Sequence, residues 1–220
     1  MPPRGGVPAG ALAPEQRAQR SLARRIARAP LEEIEATLCR AIREVNLRSD
    51  PRQPLYYYGS LEGRRYTPPA GPAGLYLATD PSTAFAEIRD LLQGPGERAL
   101  PLSPHDPVTL VYVEVDLSGV LDLTNPDVRR QLRVSKRQIL AEWEPAMLAY
   151  LASKGPMPLT QRIAEAAHLT GVVSGILFPS ARWEGGRCLV VFPDHVRVGD
   201  RVQAYDTTGK LSQRLAPSVP

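Results

Sequence analysis

The run Leu75-Tyr76-Leu77-Ala78-Thr79-Asp80-Pro81 sets an alternating strand pattern directly against a helix start, leaving no room for a loop between them. Asp80 can cap the helix, and Pro81 fits its first turn, where the missing N–H has no partner to lose. Beyond it Phe85, Ile88, Leu91 and Leu92 recur at helical spacing, and Glu87 lies on the flank of that apolar stripe. A short strand needs a sheet and an amphipathic helix needs a surface, so the chain must combine the two. Upstream, Arg64, Arg65 and Tyr66 lead into a loop rich in proline and glycine. Loop, strand and helix thereby bring arginine, two tyrosines and a glutamate toward one cleft, a set suited to anion binding, ring stacking and carboxylate chemistry.

The remaining elements agree with a mixed fold. Thr109–Leu117 alternates as a strand, with Val120–Leu123 as a further short one, and Val172–Phe178 reads as a buried strand delivering Pro179-Ser180 at its exit. Leu189–Phe192 and Val202–Tyr205 supply the last strands. Asn125-Pro126 opens a short helix, Ser135 caps one running to about Lys154 and disturbed at Pro145, and Pro158–His168 forms another. Leu55–Gly59, with three consecutive tyrosines, predicts a first strand, and Gln93–Pro107 an exposed loop. Helices and strands interleave without a glycine-rich dinucleotide motif, which predicts an α+β domain rather than a doubly wound one.

The N-terminal part reads differently. Residues 1–13 are rich in Pro, Gly and Ala and predict a disordered tail. Residues 14–50 predict a helical arm, one helix from Pro14 to Ala29 and a second from Leu31 to Leu47 whose Ile34, Leu38, Ile42 and Val45 fall at spacings of four and three. That stripe has to cover apolar surface, either of the following domain (51–214), of a second copy, or of a partner. The formal net charge is +4, yet residues 1–30 hold six arginines against Glu15 alone. The rest of the chain is therefore close to neutral, and any direct nucleic-acid contact is confined to the arm. Arg129, Arg130, Arg133, Lys136 and Arg137 read as a solvated face before they read as a phosphate site. Cys39 and Cys188 are isolated and no histidine sits at ligand spacing, so no disulfide scaffold or metal site is indicated and a reducing cytoplasm fits. No run is long and apolar enough for a membrane span. His105, His168 and His195 lack a triad context and stay unassigned.

In order and context, Arg65-Tyr66, the strand at Tyr76, Asp80-Pro81, Glu87 and the late Phe178-Pro179-Ser180-Ala181-Arg182 resemble the RES-domain toxins, whose name records an arginine, a glutamate and a serine. Gly63-Arg64-Arg65-Tyr66 stands where that family usually has glycine-arginine-tryptophan. The resemblance runs from roughly Pro54 to Val202. It implies an ADP-ribosyltransferase-like split β-sheet with surrounding helices, preceded here by the N-terminal arm. It further implies an enzyme that degrades NAD as a substrate by cleaving the nicotinamide–ribose bond, through phosphorolysis or hydrolysis, with phosphate as a co-substrate in the first case and no resident cofactor or metal. Glu87 and Arg65 would be catalytic, and Arg65, Tyr66, Tyr76 and Ser180 would bind the substrate. A homodimer, and an Xre-type helix-turn-helix antitoxin through which any DNA contact is indirect, follow from the same resemblance. Two other readings compete: transfer of ADP-ribose to a macromolecule, and a non-catalytic module that binds a partner or nucleic acid through the basic arm.

Overall fold

The computed structural model describes residues 14–47, 54–55, 63–93, 107–205 and 212–217. Helix α1 (Pro14–Ile26) turns Leu22 and Ile26 onto the body of the protein and Arg17, Arg20 and Arg24 outward. The next segment departs from expectation. Glu32–Arg43 is a strand, β1, followed by a single helical turn, α2 (Glu44–Leu47). The helix expected over Leu31–Leu47 is corrected for a simple reason: Ile34, Leu38 and Ile42 are spaced by four, an even number, so they share one side of a strand as readily as one side of a helix. A long antiparallel partner decides the matter. β1 pairs with β3 (Val108–Asp122) from Arg43↔Val108 to Glu32↔Val120. The main sheet therefore begins before residue 50 and takes in half of the expected arm. Leu38 and Ile42 are buried within the chain's own core, so the stripe that suggested a dimer contact is already covered.

The central run folds as its sequence directs. β2 (Leu75–Ala78) passes straight into α3 (Pro81–Gln93), and Asp80 caps that helix, its carboxylate accepting from the Thr83 backbone N–H at 2.9 Å and hydroxyl at 2.6 Å. After β3, which absorbs both extended pieces expected there, Asn125 caps α4 (Pro126–Leu132). Ser135 caps α5 (Lys136–Leu140) through a capping box with Gln138. The long helix expected from Ser135 is broken upstream of its proline: Ala141 is extended, and Pro145 sits in the first turn of a new helix, α6 (Glu144–Leu151). Helix α7 (Leu159–Leu169), β4 (Gly175–Pro179), β5 (Arg187–Val191), β6 (Arg201–Tyr205) and β7 (Ser212–Arg214) complete the described chain. The strand expected at Leu55–Gly59 and the loop expected at Gln93–Pro107 lie largely outside the described residues, as does the tail 1–13.

The seven strands run in the order β1-β2-β5-β4-β3-β6-β7, and β1 also pairs with β3. Five strands thus form a closed circuit, with β6 and β7 continuing outward from β3. All five contribute to one apolar cluster, including Leu38, Leu75, Leu77, Val113, Leu117, Leu177 and Leu189, which is the interior of the circuit. The alternate residues of β4 and β5, Ile176, Phe178, Cys188 and Val190, face a second core built with α1, α4, α5 and α7 through Ile26, Leu132, Ile139 and Ile163. β3 changes sides between these cores at Gly119, which has φ +75 and lies where a Cβ would be 2.6 Å from the Val172 carbonyl oxygen. Leu117 and Val120 consequently point into the circuit, whereas Leu121 and Leu123 join the helical side. Among the described residues no helix is long and apolar enough to cross a membrane.

Candidate active site

Glu87 lies on α3 after β2 and Ser180 follows β4, the two strands that flank β5, and the side chains meet at the exit of β4. The Ser180 N–H donates to the Gly186 carbonyl at 2.8 Å, closing a tight loop, and its hydroxyl oxygen accepts from the Arg182 and Trp183 backbone N–H groups, each at 3.0 Å. With its lone pairs so engaged, the hydroxyl turns its proton to Glu87 Oε1 at 2.6 Å, a short charge-assisted bond. Ser180 thus holds the glutamate through its hydroxyl while its own oxygen is held by two backbone N–H groups. His168 and His195 stack on each other with centroids 4.1 Å apart, and His195 Nδ1 bonds the Val173 carbonyl, so neither is placed to activate the serine. The serine loop is braced by the start of α3. Gly186 lies so close to Thr83 that a Cβ there would fall 2.3 Å from the Thr83 hydroxyl oxygen, and Thr83 is itself buried and held by Asp80.

The arginine and the two tyrosines form a second corner. Arg65 Nη1 donates to the carbonyls of Ile139 at 2.9 Å and Ala141 at 3.0 Å, tying its loop to the end of α5. The Tyr76 hydroxyl accepts the Tyr66 backbone N–H at 2.9 Å and lies 3.4 Å from the Thr67 hydroxyl. Burial pushes the Tyr76 phenol up to about 12, partly countered by those hydrogen bonds, so it stays protonated. Tyr66 is fully buried with its ring 4.4 Å from that of Phe178, whereas Tyr76 is half-buried. The Tyr66 hydroxyl has no hydrogen-bond partner among the described residues, and burial raises its phenol well above the ordinary range. The two corners share Cys188, which contacts Glu87 Oε1 and lies in the same buried cluster as Tyr66.

A serine hydroxyl and a buried thiol thus meet on one glutamate, and the RES domain family matches residues 37–212 of this 220-residue chain. The chain belongs to that family. Of solved structures, a chain in the crystal structure of the M. tuberculosis MbcT-MbcA toxin-antitoxin complex aligns with TM-score 0.63 at 24% identity, covering 89% of this chain and 92% of that one. At that identity the likeness is one of fold. No curated protein matches the chain.

Within this RES domain, two features of the site escaped the sequence. Cys188, read there only as an unpaired cysteine, contacts Glu87 Oε1 at 3.7 Å, and burial together with the neighbouring carboxylate drives its thiol well above the ordinary value. Gln161, fully buried on α7, donates to the Arg64 carbonyl at 2.9 Å and to Met147 Sδ at 3.5 Å, anchoring the arginine loop from beneath. Neither carries a local signal; register and helix docking create both contacts. The basic cluster at Arg129–Arg137 resolves in favour of structure at two positions. Arg129 Nη1 bonds the Leu123 and Thr124 carbonyls at 2.8 and 2.7 Å, and Arg130 pairs with Asp127 at 2.6 Å.

Proposed function

We propose that this RES domain is an NAD-degrading enzyme of ADP-ribosyltransferase-like fold, acting as the toxin of a toxin–antitoxin pair in the cytoplasm. The observation that carries the reading is the Glu87–Ser180 bond of 2.6 Å, which fixes one carboxylate at the joint between the two corners of the site. Cleavage of the nicotinamide–ribose bond sends its electron pair to the ring nitrogen, neutralising the pyridinium, and leaves positive charge on the ribose. A carboxylate held in place beforehand stabilises that charge without having to reorganise. Glu87 supplies it, and its second oxygen accepts from a ribose hydroxyl. Arg65, whose Nη1 is engaged by backbone carbonyls, offers its other donors to the diphosphate. Tyr76 lines the leaving ring, and buried Tyr66 holds the wall behind it. Phosphate or water then attacks the ribose carbon.

The antitoxin part of the reading is supported by the fold neighbour, which was crystallised in a toxin–antitoxin complex. An Xre-type partner and a homodimer rest on the family resemblance alone. The deciding measurement is NAD consumption by the purified chain with phosphate present, beside Glu87→Gln checked for unchanged circular dichroism. Loss of NAD with wild type and not with the variant is expected; undiminished NAD at high enzyme concentration would falsify the proposal. Adenine-labelled NAD separates the competing reaction, because label on a macromolecule instead of in small products indicates ADP-ribosyl transfer.

A further inference from the structure

Both hydrogen bonds to Glu87 among the described residues end on the same oxygen. Ser180 Oγ–H reaches Oε1 at 2.6 Å and Cys188 Sγ–H reaches it at 3.7 Å. One donor stands in the tight loop that leaves β4 and the other within β5, both on fixed backbones. Cys188 sits in β5 between Phe178 of β4 and Ala78 of β2, paired in register with each, so its Cβ is restrained from both sides. Its side chain is too short to wander. The thiol is also capped by its surroundings, lying in the cluster that contains Tyr66 and Phe178.

We infer that Cys188 is a positioning residue: its thiol, with the Ser180 hydroxyl, pins Oε1 of Glu87 so that Oε2 is the oxygen presented to the ribose. This rests on the NAD-cleaving reading of the site. A carboxylate held by one donor still swings about that bond, whereas two donors from separate elements, a strand and a braced loop, fix the plane of the group as well as its place. Sulfur suits the position. An S–H is a weak donor on a long bond, so it reaches the oxygen from a buried strand without drawing the carboxylate into the core. The raised thiol pKa keeps the proton on sulfur, because burial and the Glu87 charge outweigh the pull of Arg65. In this role the thiol neither attacks the substrate nor exchanges electrons.

The test uses the full chain with Cys188→Ser, which keeps a donor, and Cys188→Val, which fills the space without one. NAD turnover is expected to fall about tenfold in kcat for the valine variant, with KM changed less than about twofold, and to be largely restored by serine. A site needing only packing would reverse that order, with valine active and serine impaired, and equal activity in all three proteins would also overturn the inference. A readout independent of turnover is the infrared S–H stretch of Cys188 in a Cys39→Ala background. It is expected to lie at lower frequency in the wild-type site than in Glu87→Gln, as a hydrogen-bonded thiol does. Without NAD turnover the proposed function fails while the S–H band still reports the bond to Glu87; an unshifted band overturns the positioning role.

Discussion

The two corners of the site are built on opposite plans. At the Glu87 corner, side chains bond side chains: serine and thiol donate to the glutamate, and the backbone serves only to hold the serine. At the Arg65 corner, side chains are spent on backbone: Arg65 on the Ile139 and Ala141 carbonyls, Tyr76 on the Tyr66 N–H. The first corner keeps a charged group poised, and the second keeps a loop in place. Substitution should therefore strike chemistry at one corner and loop geometry at the other, a contrast that kinetics and stability measurements can separate.

The largest effect is expected for Glu87→Gln, which keeps shape and removes charge: NAD consumption should fall at least about a hundredfold with little change in melting temperature. Ser180→Ala follows, losing about tenfold in kcat, because Glu87 loses its short bond while the Arg182 and Trp183 N–H groups lose their acceptor. Arg65→Lys is expected to act on binding more than on turnover, raising KM several-fold, since an ammonium cannot bridge two carbonyls and still present a fork to a diphosphate. Should kcat fall as far as it does for Glu87→Gln with KM unchanged, the division between corners disappears. Tyr76→Phe should cost about 1 kcal/mol in urea unfolding by orphaning the buried Tyr66 N–H. Tyr66→Phe marks the low end. Its hydroxyl is buried without a partner among the described residues, so removal should leave stability within about 0.5 kcal/mol of wild type or raise it.

The site was legible in the sequence where its signals are local. Asp80 and Pro81 announce α3 by capping chemistry, and the alternation of Leu75–Ala78 gives β2 to the residue. Glu87 borders the helical stripe and Ser180 stands at a strand exit, yet it is the resemblance to the RES-domain toxins, not these local signals, that singles the two out. What the sequence could not show depends on register. β1 was misread because a spacing of four satisfies both periods, and only the pairing with β3, more than sixty positions on, selects the strand. Cys188 was passed over because a lone cysteine between Arg187 and Leu189 says nothing about what lies across from it; its value comes from standing opposite Ala78, next to the turn that launches α3. The burial of Tyr66 under Phe178 is likewise a tertiary fact. A tyrosine beside two arginines in a loop reads as exposed until the loop is folded back.

The closure of the strand circuit also bears on when the protein becomes active during its own synthesis. Glu87 and Ser180 are 93 positions apart, and β5, which joins β2 to β4 and carries Cys188, ends at Val191. A chain emerging from the ribosome completes α3 early, yet nothing fixes the glutamate until β4 and β5 have followed it. Fragments that stop short of Ser180 lack the clamp, and those that stop short of Cys188 lack the second donor. Under the proposed function, a chain cut before β5 is therefore expected to leave NAD intact, because it lacks the strand that carries Cys188 and joins β2 to β4.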